Sequence, residues 1–255
     1  NFDANFYTLS PPKVSCNAFI NCKKLNTVFI DYSFYRSGQD GYSPFPYLTD
    51  LKFGKNLKTI ESALFNKCYQ LKHIVLPDNI EIIGNNSFSN CIQLDSIVMP
   101  GVKILHDGCF ENCTALRTIT FPERLSTLGR WVFKGCTQLQ EIKFNEGLTV
   151  ISEELFKNCS SIVYVELPHG LNTIGPYSFE NCTSLRSVKW SPCLEIIDRG
   201  AFRSCDKLEI PDFPVTLKKI GDHAFEKLIK PSGNLFIPDS VTEIGKYAFF
   251  RCTSL

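Results

Sequence analysis

Apolar residues return in this chain in a fixed order. Counting from a cysteine, Leu or Ile stands at +3, a β-branched or aliphatic residue at +6, another apolar residue at +8 and often Pro at +9. Cys91, Leu94, Ile97, Met99, Pro100 is one instance, and Cys159, Ile162, Val165, Leu167, Pro168 is another. An apolar pair three apart follows, as in Ile80/Ile83, Leu125/Leu128, Leu171/Ile174 and Leu217/Ile220, and Gly often comes next: Gly84, Gly129, Gly175, Gly221, Gly245. Phe-x-x-Cys then closes the unit, at Phe19/Cys22, Phe65/Cys68, Phe88/Cys91, Phe110/Cys113, Phe133/Cys136, Phe156/Cys159, Phe179/Cys182, Phe202/Cys205 and Phe249/Cys252. From Phe65 to Phe202 the steps are 23, 22, 23, 23, 23 and 23 residues. The two longer gaps hold degenerate copies, Tyr42 with Phe45 and Phe225 with Leu228. About eleven units of 22–24 residues, with no linker, make residues 1–255 one repetitive domain. Residues 1–13 read as a lead-in or partial repeat.

Each position predicts local structure. The apolar residues at +6 and +8 lie two apart and point to one side of a short strand. Pro ends that strand, because it cannot donate to a ladder. Ile-Gly predicts a tight corner that uses φ > 0, although His106, Ser152 and Asp198 replace the Gly in other units. Phe, Cys and Leu at i, i+3 and i+6 predict one helical or 3-10 turn before the next strand. A single unit cannot bury its apolar face, so units must stack about 4.8 Å apart into one continuous core.

A period near 23 falls in the leucine-rich repeat range. The run Leu71-x-x-Ile74-x-Leu76-Pro77-x-x-Ile80-x-x-Ile83-Gly84-x-x-x-Phe88-x-x-Cys91 resembles the BspA-like (Treponema pallidum-type) leucine-rich repeats, and the resemblance extends from about Val14 to Leu255. It implies a β-rich leucine-rich repeat solenoid of the α/β class, with a parallel sheet on its concave face. It also implies a non-enzymatic binding module of the adhesion and recognition kind, at a cell surface or secreted, with protein or glycoconjugate ligands. No catalytic residue carries over. An intracellular interaction scaffold is the rival reading, and an enzyme the remote one.

Charge narrows the partners. Lys+Arg number 27 and Asp+Glu 26, a net charge of +1, which lacks the basic field that nucleic acid requires. No apolar run reaches the ~18 residues of a membrane helix. The sole Met is Met99, so residue 1 reads as the start of a processed chain or fragment of a longer array. Leu255 opens another strand, and such an end could pair with a second molecule.

Nine of twelve Cys share one repeat position. No C-x-x-C pair supports a metal or redox site. Stacked equivalent positions hold Cβ atoms too far apart for disulfides, so the row reads as buried free thiols, which mildly suits a reducing compartment. Cys16, Cys109 and Cys193 fall outside it. Asn85, Asn112, Asn158 and Asn181 match the N-glycosylation pattern, but the last three sit at the Phe-x-Asn-Cys turn, where Asn also serves to satisfy backbone groups. His73, His106, His169 and His223 occupy different repeat positions and form no catalytic set. No metal or cofactor site is expected.

The residues flanking the inward +6 position carry the outward face of the sheet. Candidate ligand-binding residues on this face are Phe29, His73, Val75, Val98, Thr120, Glu141, Lys143, Tyr164, Glu166, Lys189, Asp212 and Phe236. The same series includes Ile210. Apolar and aromatic side chains on a face that could be polar suggest recognition, against the alternative of an ordinary half-solvated sheet. Units with Ser33–Phe45 and with Pro211 break the pattern, as a bend, a site or simple drift.

Overall fold

The computed structural model describes residues 8–9, 22, 24–31, 45–210, 212–228 and 235–252. Phe19, Cys16, Tyr42, most of Ser33–Phe45, Pro211 and the 1–13 lead-in (apart from Thr8–Leu9) lie outside them. The strands, in chain order, are β1 (Thr8–Leu9), β2 (Thr27–Ile30), β3 (Asp50–Phe53), β4 (Thr59–Ile60), β5 (His73–Val75), β6 (Ile82–Ile83), β7 (Ser96–Val98), β8 (Ile104–Leu105) and β9 (Thr118–Thr120). They continue with β10 (Thr127–Leu128), β11 (Glu141–Lys143), β12 (Val150–Ile151), β13 (Tyr164–Glu166), β14 (Thr173–Ile174), β15 (Ser187–Lys189), β16 (Ile196–Ile197), β17 (Lys219–Ile220) and β18 (Glu243–Ile244). All pairing is parallel, as it must be when equivalent strands of successive turns of a one-handed coil lie side by side.

Each coil contributes to two strand faces. The first holds β1-β2-β3, β5-β7, β9-β11 and β13-β15. Its residues alternate exposed, buried, exposed, with Ile74, Ile119, Val165 and Val188 at most 2% exposed in the central position. The second holds two-residue strands in the orders β10-β8-β6-β4 and β12-β14-β16-β17-β18. The nine short strands mark about nine described turns. Where the two second-face sheets meet, the Ser152 hydroxyl donates to the Leu128 carbonyl at 2.6 Å.

The expected helical turn is absent: no helix occurs among the described residues. Cys N–H does donate to the Phe carbonyl three back, and Leu N–H to the Cys carbonyl, as at Cys68→Phe65 and Leu71→Cys68, both 3.2 Å. Yet the residues two before and two after each Phe sit at positive φ, for example Ala63 (55°) and Lys67 (60°), Trp131 (60°) and Gly135 (74°), and Tyr177 (54°) and Asn181 (60°). A left-handed residue on each side of Phe stops a helix from propagating. The turn instead forms a third ladder. Its N–H groups at Phe−2, Phe and Phe+2 donate to the next coil, as in Trp131→Glu153, Phe133→Leu155 and Gly135→Lys157 at 3.0, 3.0 and 2.8 Å.

Rows of like side chains fill the interior. The rings of Phe65, Phe88, Phe110, Phe133, Phe156, Phe179, Phe202, Phe225 and Phe249 stack at 5.2–5.8 Å. Phe45 stands in the Cys register and still brings its ring within 6.0 Å of Phe65. Leu228, in the Cys place of the cysteine-free copy, is fully buried.

The glycines after the second strand also differ from expectation. Gly84, Gly129, Gly175, Gly221 and Gly245 are not among the positive-φ residues. They are needed because the coils touch there. A Cβ would stand 2.7 Å from Ser62 N at Gly84, 2.6 Å from Asp107 N at Gly129 and 2.5 Å from Ile151 O at Gly175. From Gly84 to Gly221 the row alternates Gly, His106, Gly, Ser152, Gly, Asp198, Gly, so each side chain faces a glycine in the neighbouring coil.

Candidate functional site

The first strand face carries ten of the twelve candidate residues. Parallel register sets Phe29 beside Lys52, His73 beside Ser96, Val75 beside Val98, Thr120 beside Lys143, Tyr164 beside Ser187 and Glu166 beside Lys189, with Glu141 beside Thr118. Val75, Val98 and Tyr164 are 55%, 47% and 47% exposed, whereas Phe29 is half-buried. His73 Nδ1 and Ser96 Oγ lie 2.6 Å apart, and Ser96 Oγ donates to Asp95 Oδ1 at 2.6 Å. β15 is the last strand of this face among the described residues, so Asp212 and Phe236 stand past the sheet, both exposed. Ile210 is partly buried against the core, because no strand there turns it outward.

One edge of this face is indented. A groove of about 370 Å³ is lined by three consecutive coils, and it brings Lys143, Glu166 and Lys189 together. Its floor follows from the apolar residue at +8. That row reads Phe121, Phe144, Leu167, Trp190, Phe213, so Leu167 alone among the described units has an aromatic neighbour on both sides. Phe144 stacks on Phe121 at 5.4 Å and meets Phe156 edge-on at 6.0 Å. Trp190 meets Phe202 edge-on at 5.6 Å. Both rings are held from behind, and the shorter Leu167 leaves a notch between them. Glu146 and His169 join the rim from the turns after the strands.

Those turns are pinned. Asn145 Nδ2 donates to the Leu125 carbonyl at 3.1 Å, Ser191 Oγ to the His169 carbonyl at 2.6 Å, and the His169 N–H to Glu146 Oε2 at 3.1 Å. The rim charges are paired: Lys189 Nζ with Glu166 Oε1 at 2.5 Å and Lys143 Nζ with Glu141 Oε1 at 3.3 Å. The Lys189 hydrogen bond holds the Glu166 carboxyl below its ordinary range, and Glu166 holds Lys189 above its own. Phe144, Leu167 and Trp190 were legible as core-row residues. Glu146 and His169 carry no repeat signal and become visible only when three units are laid side by side.

The third ladder carries a chain of charges that single-unit reading does not reveal. Lys134 Nζ lies 2.7 Å from Glu154, Lys157 Nζ 2.9 Å from both Glu154 and Glu180, Arg203 Nη1 3.6 Å from Glu180 and Nε 3.1 Å from Glu226, and His223 Nδ1 2.8 Å from Glu226. Burial raises the Glu154 carboxyl, but the Lys134 and Lys157 hydrogen bonds and charges outweigh it and hold the group low. Tyr177 lies beside this chain, with Lys157 Nζ 5.3 Å from its ring. These groups are satisfied by one another.

The thiols are buried donors. Cys91, Cys113, Cys136, Cys159, Cys182 and Cys205 each donate Sγ–H to the Phe carbonyl of the preceding coil at 3.1–3.3 Å. Burial pushes the Cys113, Cys159 and Cys205 thiols well up. Cys109 is buried and Cys193 exposed, and no disulfide joins the eleven described cysteines. The turn Asn side chains pair across coils, Asn112 Nδ2 with Asn90 Oδ1 at 3.3 Å and Asn181 Nδ2 with Asn158 Oδ1 at 2.8 Å. At φ of 58–64°, Asn112, Asn158 and Asn181 take left-handed positions that Asn tolerates, rather than serving the turn's backbone. Among the described residues no three His, Cys, Asp or Glu side chains are grouped to hold a metal, and no helix is long and apolar enough to cross a membrane.

A family model described as BspA type Leucine rich repeat region matches in six copies, over residues 8–117, 103–230 and 229–255. The chain belongs to this family. No curated protein matches it. Among solved structures, this BspA-type chain is similar to a leucine rich cell surface protein from Faecalibacterium prausnitzii A2-165, with 24% identity and a TM-score of 0.57 over 95% of this chain and 75% of that one. It is also similar to the pneumococcal vaccine antigen PcpA, with 22% identity and a TM-score of 0.55 over 89% of this chain and 66% of that one. A leucine-rich repeat protein from Eubacterium ventriosum ATCC 27560 matches at 16% identity and a TM-score of 0.52, over 91% and 78% of the two chains. At these identities the likeness is one of fold.

Proposed function

We propose that this BspA-type repeat protein is a non-enzymatic binding module that captures protein or glycoconjugate ligands on its first strand face, at a cell surface or after secretion. The observation that carries this reading is the side-by-side Val75/Val98 pair, about half exposed, with Tyr164 further along the same face. Exposed apolar and aromatic groups on a rigid sheet cost solvation and serve recognition. The family membership and the similar cell surface protein support the location. Buried, protonated thiols are unreactive in any compartment, so the cysteine row does not favour the intracellular scaffold.

The test immobilises purified matrix glycoproteins and printed glycans and measures capture by the wild type and by a Val75→Ser/Val98→Ser/Tyr164→Ala variant. All three positions are exposed, so the variant should keep the parent thermal transition. A ligand whose capture falls about tenfold or more supports the strand face. Undiminished capture of every ligand removes it. Surface exposure is checked by antibody accessibility on intact cells, where signal only after lysis favours the scaffold reading.

A further inference from the structure

We infer that the groove over Leu167 is a subsite for the ring of a neutral sugar, a proposal that rests on the binding-module reading and gives it a ligand class. Three observations lead there. The aromatic row Phe121, Phe144, Trp190, Phe213 lacks one member, and the gap at Leu167 is where a ring would stand. Phe144 and Trp190 are about two coil spacings apart, roughly 10 Å, and each is braced from behind by another ring. The notch is therefore formed before any ligand arrives.

The rim decides what kind of ring fits. Lys143, Glu146, Glu166, His169 and Lys189 surround the opening. Both rim cations are paired, Lys143 with Glu141 and Lys189 with Glu166, and Glu146 accepts from the His169 N–H, so little net field is left to draw an acidic or a basic ligand. The same groups offer donors and acceptors at several heights above an apolar floor. A plain aromatic side chain would fill the notch but would desolvate these polar groups without replacing their hydrogen bonds. A pyranose presents an apolar C–H face to the partly buried Phe144 and Trp190, above the buried Leu167, and hydroxyls, both donor and acceptor, to the rim. The volume of about 370 Å³ lies at the small end of ligand sites, suited to one or two rings of a longer chain.

The chain contains two Trp, and Trp131 sits on the third ladder under Arg130, away from the groove lining. In a Trp131→Phe background the emission of Trp190 alone reports on the site. The probes are cellotriose, maltotriose and mannotriose as neutral sugars, sialyllactose as an acidic one, and N-acetyltyrosinamide as a peptide-ring analogue. Saturable change with at least one neutral trisaccharide in the millimolar range is expected. It should weaken about tenfold or more in Leu167→Phe, which restores the missing ring and matches its row neighbours, and severalfold in His169→Ala. The proposal is overturned if no neutral sugar saturates the signal, if sialyllactose or N-acetyltyrosinamide binds in preference, or if folded Leu167→Phe binds like the parent. Should Leu167→Phe lose its thermal transition, His169→Ala binding like the parent overturns it. Val75 and Val98 lie on coils outside the groove, so a Val75→Ser/Val98→Ser variant without the Tyr164 change reads capture on that strip independently of the sugar result.

Discussion

A single repeat position shows how residue choice follows from surroundings. The cysteine after Phe must be small enough to stack at the coil spacing, apolar enough to be buried, and able to donate its thiol to the preceding coil's Phe carbonyl, which already receives the N–H of that coil's own cysteine. A thiol meets all three demands, and its protonated state is enforced by burial. In Ellman labelling of the native protein, Cys22 and Cys193 should react quickly, whereas the row from Cys68 to Cys205 should react only at the rate of global unfolding. Fast labelling of row thiols below the transition would show that the sulfurs are open to solvent. Glu111 gives the opposite lesson. Burial raises its carboxyl above the ordinary value, so the folded chain holds that proton more tightly than the unfolded one. Its unfavourable effect grows as pH rises from the unfolded value near 4.3 through the folded one. Glu111→Gln should therefore raise the melting temperature at pH 7, and the gain should vanish below about pH 4. An equal gain at both pH values would assign it to something other than titration.

Among elements, the second strand and the turn after it show most clearly what local signals convey. The alternation of exposed and buried positions on the first face follows directly from period-two patterning, and the Phe and Cys rows from the 23-residue period. The left-handed turns were not legible, because Ala63, Lys67, Trp131 and Tyr177 hold positive φ with no Gly or Asn to announce it. A recurrent glycine after the second strand was legible, with His106, Ser152 and Asp198 as its replacements, but its cause was not, since contact with a neighbouring coil lies about 23 residues away in sequence and is invisible within one unit. Gly175→Ala places a methyl 2.5 Å from the Ile151 carbonyl, and should destabilise by about 1–3 kcal/mol. Ser152→Ala in the adjacent coil loses one hydrogen bond, on the order of 1 kcal/mol. Chemical denaturation with both variants checks the order, and a Gly175→Ala protein as stable as the parent would refute the close-contact account. The groove escaped sequence reading for a related reason: it arises from the difference between Leu167 and its row neighbours, not from any motif in one unit.

At the scale of the molecule, units that touch only their neighbours are tied together by rows crossing every coil. The chain of ion pairs from Lys134 to Glu226 ties five successive coils in the same way. Its carboxylate Glu154 is held below the ordinary value by two lysines, despite burial. This contribution is complete above the unfolded carboxylate value and disappears as pH falls through the depressed folded one. Glu154→Gln should lower the melting temperature at pH 7, and the difference from the parent should close on acidification below about pH 4. A difference that persists in acid would mean the pairs act through packing alone.

The third ladder also gives the spiral a sense of direction. Its amides at Phe133, Phe156 and Phe179 reach toward the following coil, to the Leu155, Ser178 and Ala201 carbonyls. On this ladder a cleavage between two coils leaves donors on the upstream piece and acceptors on the downstream piece, and on the second strand face the reverse, as the Gly175 N–H donates back to the Ile151 carbonyl at 2.8 Å. Like a zip with unlike halves, such fragments could reassemble in their native succession and in no inverted one.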